Sequence, residues 1–293
     1  MVGWLVYSAE RLERNRSYAR LYESWCDSKG ICLEVVLAED VSFGYAEDGP
    51  WFSSGGKTVR VPQFAVFRCE DTDLRRALEA AGTLVNNSSR IGGLANDKLR
   101  TYELARSLSI PFLEIEAVCK SGKVHMDTPF VLKPRYGHGG SGVQLVQTGE
   151  DLKRLASDGL SLDNTWLAQR VAPVLGKDLR VYVLGNRVLA AMLRTATNEV
   201  FRSNYCLGGT AKRYILNNEQ HGMVEKLASA LGPGYYGIDF LVCEDDQLLF
   251  NEVEDVVGSR MLFDHTNIDV VDQHMSWIMS NCDGWAAGPF PRP

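Results

Sequence analysis

The chain has 293 residues and carries 31 Lys+Arg against 37 Asp+Glu, a formal charge of −6 that argues against nucleic acid as the main partner. With 45% hydrophobic and 23% charged residues, the composition is that of a globular protein and excludes collagen-like, disordered and coiled-coil chains. No apolar run approaches the roughly 20 residues of a membrane span, the N-terminus lacks the basic region of a signal peptide, and the seven cysteines are scattered without a CxxC spacing. The expectation is a cytoplasmic protein with no membrane partner, no disulfide framework and no zinc site, built as two domains or as one body with a smaller appendage.

The first 90 residues read as alternating strands and helices, the texture of a parallel or mixed α/β sheet. Trp4 to Tyr7 opens as a strand. Tyr18, Leu21, Tyr22 and Trp25 then recur at helical spacing and predict a helix over 15–29, with Gly30 at its C-cap. Ile31 to Leu37 is a second strand, Phe43 to Val61 is turn-rich, and Phe64 to Phe67 is a third strand. Leu74, Ala77, Leu78 and Ala81 make a helical stripe, and the polar run 86–90 reads as a linker.

A helix is expected over 96–108, closed by Ile110-Pro111. Phe130 to Lys133 and Val143 to Val146 are strands, Asp151 to Ala156 is a short helix, and Trp166 to Val171 and Leu179 to Leu184 are two more strands. Gly185-Asn186 is a hairpin turn leading into Arg187 to Arg194. A helix around 223–231, a hairpin over 236–254 and a last helix around 268–279 complete the pattern, and 286–293 is expected to fray. This predicts an α/β domain over 1–90 followed by two α+β units over 91–165 and 166–285.

Two glycine motifs lose their obvious readings on context. Gly55-Gly56-Lys57-Thr58 ends like a P-loop but lacks the earlier glycine, and an extended segment follows where phosphate binding needs a helix N-terminus. Gly137-His138-Gly139-Gly140-Ser141-Gly142 satisfies the dinucleotide fingerprint literally, yet the β-branched alternation after it makes it a loop between two strands. Such a loop can fold over a triphosphate from above, with Lys133 on the incoming strand placed to reach phosphate. Further on, a turn centred on Asp245-Asp246 sets Asp239 directly across from Glu252, and Glu254 projects from the same face as Glu252. Three carboxylates among apolar neighbours need neutralising, and oxygen ligands in this number suit Mg²⁺ held between protein and nucleotide phosphates. Arg180, Arg194 and Arg202 add donors suited to carboxylate and phosphate.

Asp97-Lys98, Val131-Leu-Lys133 with its glycine loop, Leu167-Ala-Gln169-Arg-Val171, Asp178-Leu-Arg180, Phe201-Arg-Ser-Asn204 with Gly208-Gly209, Gly237-Ile-Asp239 and Asn251-Glu252-Val-Glu254 stand in an order that resembles the ATP-grasp superfamily. The likeness is strongest to its RimK-like branch. The resemblance implies an ATP-grasp fold, with a small α/β domain before two α+β subdomains that clamp ATP. It also implies an ATP-dependent carboxylate-amine ligase working through an acyl phosphate, on an amino acid, a small carboxylate or a short peptide, and assembled as a homodimer or homotetramer. Lys98 and Lys133 match phosphate-binding lysines, and residues 137–142 match the loop that closes over the phosphates. Gln169, Arg170 and Val171 match the adenine hinge, and Asp178 matches a nucleotide-site acid. Asp239, Glu252 and Glu254 match ligands of Mg²⁺, expected as two ions with Mn²⁺ able to substitute, and Arg180, Arg202 and Asn204 match residues near the transferring phosphate. Two departures stand out: Arg170 replaces the usual acid at the hinge, and Glu254 replaces an asparagine, followed by the unusual run Asp255-Val-Val-Gly-Ser-Arg260. Other readings of the same nucleotide site are a kinase-like or thiol-ligating enzyme and a catalytically silent ATP-binding regulator.

Overall fold

The computed structural model describes residues 1–137, 139–174, 176–196 and 210–285. The expectations for His138, Arg202, Asn204 and the 286–293 tail lie outside these residues. The N-terminal part runs β1 (Val2–Tyr7), α1 (Ala9–Ser28), β2 (Cys32–Leu37), β3 (Val41–Ala46), β4 (Gly49–Ser54), β5 (Lys57–Thr58), β6 (Phe64–Phe67), α2 (Thr72–Ala80) and β7 (Leu84–Asn86). Strands β2-β1-β6-β7 form a parallel sheet, and the unbroken apolar runs of β1 and β6 are what a strand covered on both faces requires.

Three local differences from the sequence reading have physical reasons. Helix α1 begins at Ala9, where the Ser8 side chain caps Arg11 N; its charged first half shows little apolar stripe, and Asn15 kinks the helix where that stripe begins. The turn-rich stretch is a three-stranded antiparallel sheet, β3-β4-β5; Gly55 and Gly56 form its second hairpin turn at positive φ before the exposed Lys57, which agrees with rejecting a P-loop. The supposed linker begins with two buried residues, Asn86 and Asn87. Asn87 Nδ2 donates to the carbonyls of Tyr235 (2.7 Å) and Asp255 (2.8 Å), and Ser88 caps α3 (Ser89–Ala95), so these polar residues satisfy interior backbone.

The chain continues through α4 (Lys98–Ser107), β8 (Ile115–Ala117), β9 (Phe130–Pro134), β10 (Gln144–Val146), α5 (Gly149–Ser157) and β11 (Trp166–Arg170). Strands β10-β9-β11-β8 form an antiparallel sheet. Then come β12 (Lys177–Gly185), β13 (Arg187–Thr195), β14 (Thr210–Tyr214), α6 (Asn218–Leu231), β15 (Gly234–Val242), β16 (Leu248–Glu254), α7 (Arg260–His265) and α8 (Val270–Trp285). The large antiparallel sheet has the order β14-β13-β12-β15-β16. No helix among the described residues is long and apolar enough to cross a membrane.

Alternation along the large sheet positions the site. Leu179, Val181, Val183, Ile238 and Phe240 face one core with Tyr102, Val224 and Leu227 from α4 and α6. The intervening residues face the other side, where Tyr182, Met192 and Tyr235 pack with Leu5, Tyr22 and Met275. That second face turns polar at one end with Asp178, Arg180, Arg194, Asp239 and Glu254. The N-terminal sheet is locked to this body by Arg75, whose guanidinium is 2.7 Å from Asp255 with both side chains fully buried. Gly92 makes room for the pair, since a Cβ there would lie 2.1 Å from Arg75 Nη1.

Candidate active site

The glycine loop joins the antiparallel strands β9 and β10, as expected, and Gly137, Gly139, Gly140 and Gly142 all have positive φ. Lys98 opens α4 directly beside it. Lys98 Nζ donates to the Gly137 carbonyl, the Lys98 backbone N–H bonds Arg135 O at 3.1 Å, and Arg135 makes a two-pronged pair with Asp97 at 2.7 and 2.6 Å. The start of α4 therefore fixes the base of the loop. Gly142→Ala is expected to lower kcat/KM about tenfold with little change in Tm: its Cβ would meet Pro134 Cγ at 2.9 Å, and φ of +73° costs a side chain about 1–2 kcal/mol. Steady-state kinetics beside a thermal melt would check this.

Lys133, from β9, is 5% exposed and crosses to the large sheet, where Nζ donates to Asn251 Oδ1 at 3.3 Å and to Tyr102 Oη at 3.1 Å. Gln169 of β11 donates to the same Tyr102 hydroxyl at 2.8 Å. Burial pulls the Lys133 ammonium down to about 7, against the opposing pull of Glu252. Glu252 Oε2 lies 3.6 Å from Lys98 Nζ. Lys98, Lys133, Gln169 and Glu252 are thus brought into one cradle, with Tyr102 and Asn251 as members the sequence reading missed. Arg170 instead pairs outward with Glu114 at 2.9 Å, and Val171 follows the end of β11.

Beside the cradle lies a buried charge cluster. Arg180 grips Asp239 with two bonds of 2.8 and 2.6 Å, and its Nη1 is 2.6 Å from Glu254 Oε2. Arg194 bonds both Asp178 oxygens and reaches Asp239 at 2.7 Å. Burial pushes the Asp239 carboxyl up, but Arg180 and Arg194 outweigh it and hold it at about 2. Asp178 and Glu254 are raised by burial despite their arginines. Three acids against two guanidiniums leave an excess of negative charge.

The register places Asp239 across from Glu252, as expected, but Asp239, Glu252 and Glu254 do not converge as one open group. Among the described residues, no group of three His, Cys, Asp or Glu side chains could hold a metal ion. Asp239 is taken by arginines and Glu252 turns to Lys98, so this donor set does not make a resident cage. It does fit Mg²⁺ carried on nucleotide phosphates, which needs only one or two carboxylates. Asp178, expected as a nucleotide-site acid, is the partner of Arg194.

A cavity of about 520 Å³ adjoins the cluster. Arg180, Arg194 and Glu254 line it from the large sheet, Gly139 from the loop, and Tyr18 and Arg68 from the N-terminal part.

The family profile of the RimK-like ATP-grasp domain matches residues 108–278. The chain belongs to the RimK-like ATP-grasp family. It is 25% identical over 258 residues to the uncharacterized protein MG011 homolog of Mycoplasma pneumoniae, covering 88% of this chain and 85% of that one. It is 28% identical over 284 residues to the "Probable alpha-L-glutamate ligase" of Saccharophagus degradans, covering 94% and 92%. The RimK domain ATP-grasp protein of Sphaerobacter thermophilus superposes with a TM-score of 0.68 at 18% identity, covering 95% of this chain and 100% of that one. The ATP-grasp fold expected from the motifs is therefore the fold observed, with the glycine loop, Lys133 and the acid strands inside the matched region and Lys98 ahead of it.

Proposed function

We propose that the chain is an ATP-dependent carboxylate-amine ligase that releases ADP and phosphate. The observation that carries this is a juxtaposition: a lysine-lined cradle under a glycine loop, and next to it a cavity lined in part by arginines. A substrate carboxylate oxygen forms a bond to the γ-phosphorus as the bond to the β,γ-bridging oxygen breaks and ADP leaves. An amine nitrogen then bonds to the acyl carbon, the phosphate departs with the shared oxygen, and the amine proton passes to solvent.

The residues act mainly by positioning and charge neutralisation. Lys98 and Lys133 hold phosphates, the loop over 137–142 covers them, and the Gln169, Arg170 and Val171 segment faces adenine. Arg180, Arg202 and Asn204 steady the transferring oxygens, while Asp178 holds Arg194 in place. Glu252, with Asp239 and Glu254 behind it, would hold Mg²⁺, or Mn²⁺ in its place, and the metal would neutralise phosphate charge. Glu252→Gln is expected to weaken Mg²⁺-ATP binding about tenfold, the equivalent of roughly 1.4 kcal/mol, measured by calorimetry; unchanged affinity and turnover would remove Glu252 from the metal site.

The direct test of the reaction is ADP release with Mg²⁺-ATP and hydroxylamine across amino acids, dicarboxylates and short peptides. Hydroxylamine traps an acyl phosphate without the true amine. A hydroxamate formed with one acid supports the ligase; ATP binding with no product from any acid favours the silent regulator.

A further inference from the structure

Arg68 follows β6 at the C-terminal edge of the parallel sheet and lines the 520 Å³ cavity while only 7% exposed. Its Nη2 donates to the Val257 carbonyl at 2.9 Å, and its guanidinium lies 5.2 Å from the centre of the Tyr18 ring. Its Nε has no hydrogen-bond partner. Among the described residues Arg68 makes no ion pair. Three other arginines of the same cavity differ: Arg14 pairs with Glu10, Arg180 with Asp239 and Glu254, and Arg194 with Asp178 and Asp239.

The groups around Arg68 are uncharged at neutral pH. Burial pushes the hydroxyls of Tyr7, Tyr22 and Tyr235 up, and burial, followed by the Arg68 charge, pulls His274 down to about 3. The Tyr18 and Tyr235 hydroxyls each meet Ser259 Oγ at 2.8 Å, Tyr22 Oη meets His274 Nδ1 at 2.8 Å, and His274 Nε2 meets Asn86 Oδ1 at 2.7 Å. This network is neutral, so it orients the wall without balancing the cation. A buried guanidinium without a counter-ion is costly, and its planar fork matches a carboxylate.

We propose that Arg68 anchors a substrate carboxylate that does not react, so that the ligase takes an amino acid, a dicarboxylate or a peptide C-terminus carrying a free carboxylate besides the reacting group. This rests on the ligase reading of the adjoining site. Arg68 has no acid of its own among the described residues, and a carboxylate matches its planar fork. The cavity is also lined by Arg180 and Gly139, so a ligand anchored at Arg68 occupies the space that leads to the glycine loop.

The test compares wild type, Arg68→Met and Arg68→Lys in ADP release with Mg²⁺-ATP, using L-glutamate, L-aspartate and the peptide Ala-Ala-Glu, each free and as its monomethyl esters. L-glutamate or L-aspartate working alone would identify a free amino acid, and Ala-Ala-Glu working alone a peptide end. Arg68→Met should raise KM for the accepted acid at least 50-fold, with KM for ATP changed less than threefold. Esterifying the anchored carboxyl should raise KM in wild type but add nothing further in Arg68→Met, because the two changes remove one interaction. An ester penalty that persists undiminished in Arg68→Met, or an unchanged KM for the acid, overturns the anchor. Arg68→Lys keeps the charge without the fork and should fall between the two; it carries the same comparison if Arg68→Met fails to fold. If wild type forms ADP with no acid, the ligase reading fails separately. Calorimetric titration with sodium L-glutamate then decides the anchor: binding lost in both variants supports it, and binding absent from wild type or equal in all three overturns it.

Discussion

Lys133→Met is expected to lower kcat/KM for ADP formation by roughly 10²- to 10³-fold while leaving Tm unchanged or raising it a few degrees. Activity falls because a phosphate-binding charge is removed from a site where water is largely excluded. Stability holds because the lysine is an unfavourable tenant before nucleotide arrives: it is buried, its hydrogen-bond partners Tyr102 and Asn251 are neutral, and burial pulls it from 10.5 to about 7. The unfolded chain takes up this proton below about pH 10.5 and the folded chain only below about 7, so the wild type loses stability as pH falls through that window and the loss levels off beneath it. Methionine removes the slope, which denaturant titrations at several pH values would show. ATP phosphates restore the charged form, so ATP binding at pH 8 should take up a proton in wild type and none at this position in Lys133→Met. Calorimetry in buffers of different ionisation enthalpy reads that proton directly.

Asp239→Ala is expected to cost about 3–5 kcal/mol of stability, enough to lower Tm by about 10 °C, and to abolish turnover. Asp239 is the one carboxylate in the cluster that both guanidiniums share, through Arg180 at 2.8 and 2.6 Å and Arg194 at 2.7 Å. Its removal leaves Arg180 with Glu254 alone and Arg194 with Asp178 alone, in a region already stripped of water. The loss should appear in a thermal melt without ligand, which separates it from a simple loss of metal binding. A melt within about 2 °C of wild type would show that the remaining pairs suffice.

Much of the catalytic frame was legible because it is local. The glycine loop, the strand ahead of it and the hairpin at Gly185-Asn186 depend on turn residues and alternation, and all appear where expected. The Asp239–Glu252 pairing was also read correctly, though by a route the sequence does not contain. The turn lies one residue off, with Cys243 N bonded to Gln247 O, and a bulge after Asp239 restores the register. The extra residue in that bulge is Asn251, which meets Lys133. A second bulge between Tyr182 and Val183 brings Arg194 opposite Asp178, where an unbroken ladder from the turn would have placed Leu193. Bulges leave little trace in an alternating pattern, so the arginine cluster could be listed as cations but not assembled. Arg68 was harder still, because its neighbours Tyr18, Val257 and Ser259 come from distant parts of the chain and its significance is the lack of an acid.

The buried Arg75–Asp255 contact bears on how such a ligase can be taken apart and recombined. Asp255 begins the unusual run that follows β16, and that run supplies Ser259 to the cavity wall, where it meets Tyr18 from the opening segment. A hybrid that took its opening segment from another relative would strand Asp255 without its guanidinium unless the donor also supplied a matching arginine. The two walls of the cavity are therefore inherited as a unit across nearly the full length of the chain. Recruiting a new substrate by grafting calls for both walls together, with the nucleotide machinery between them left in place.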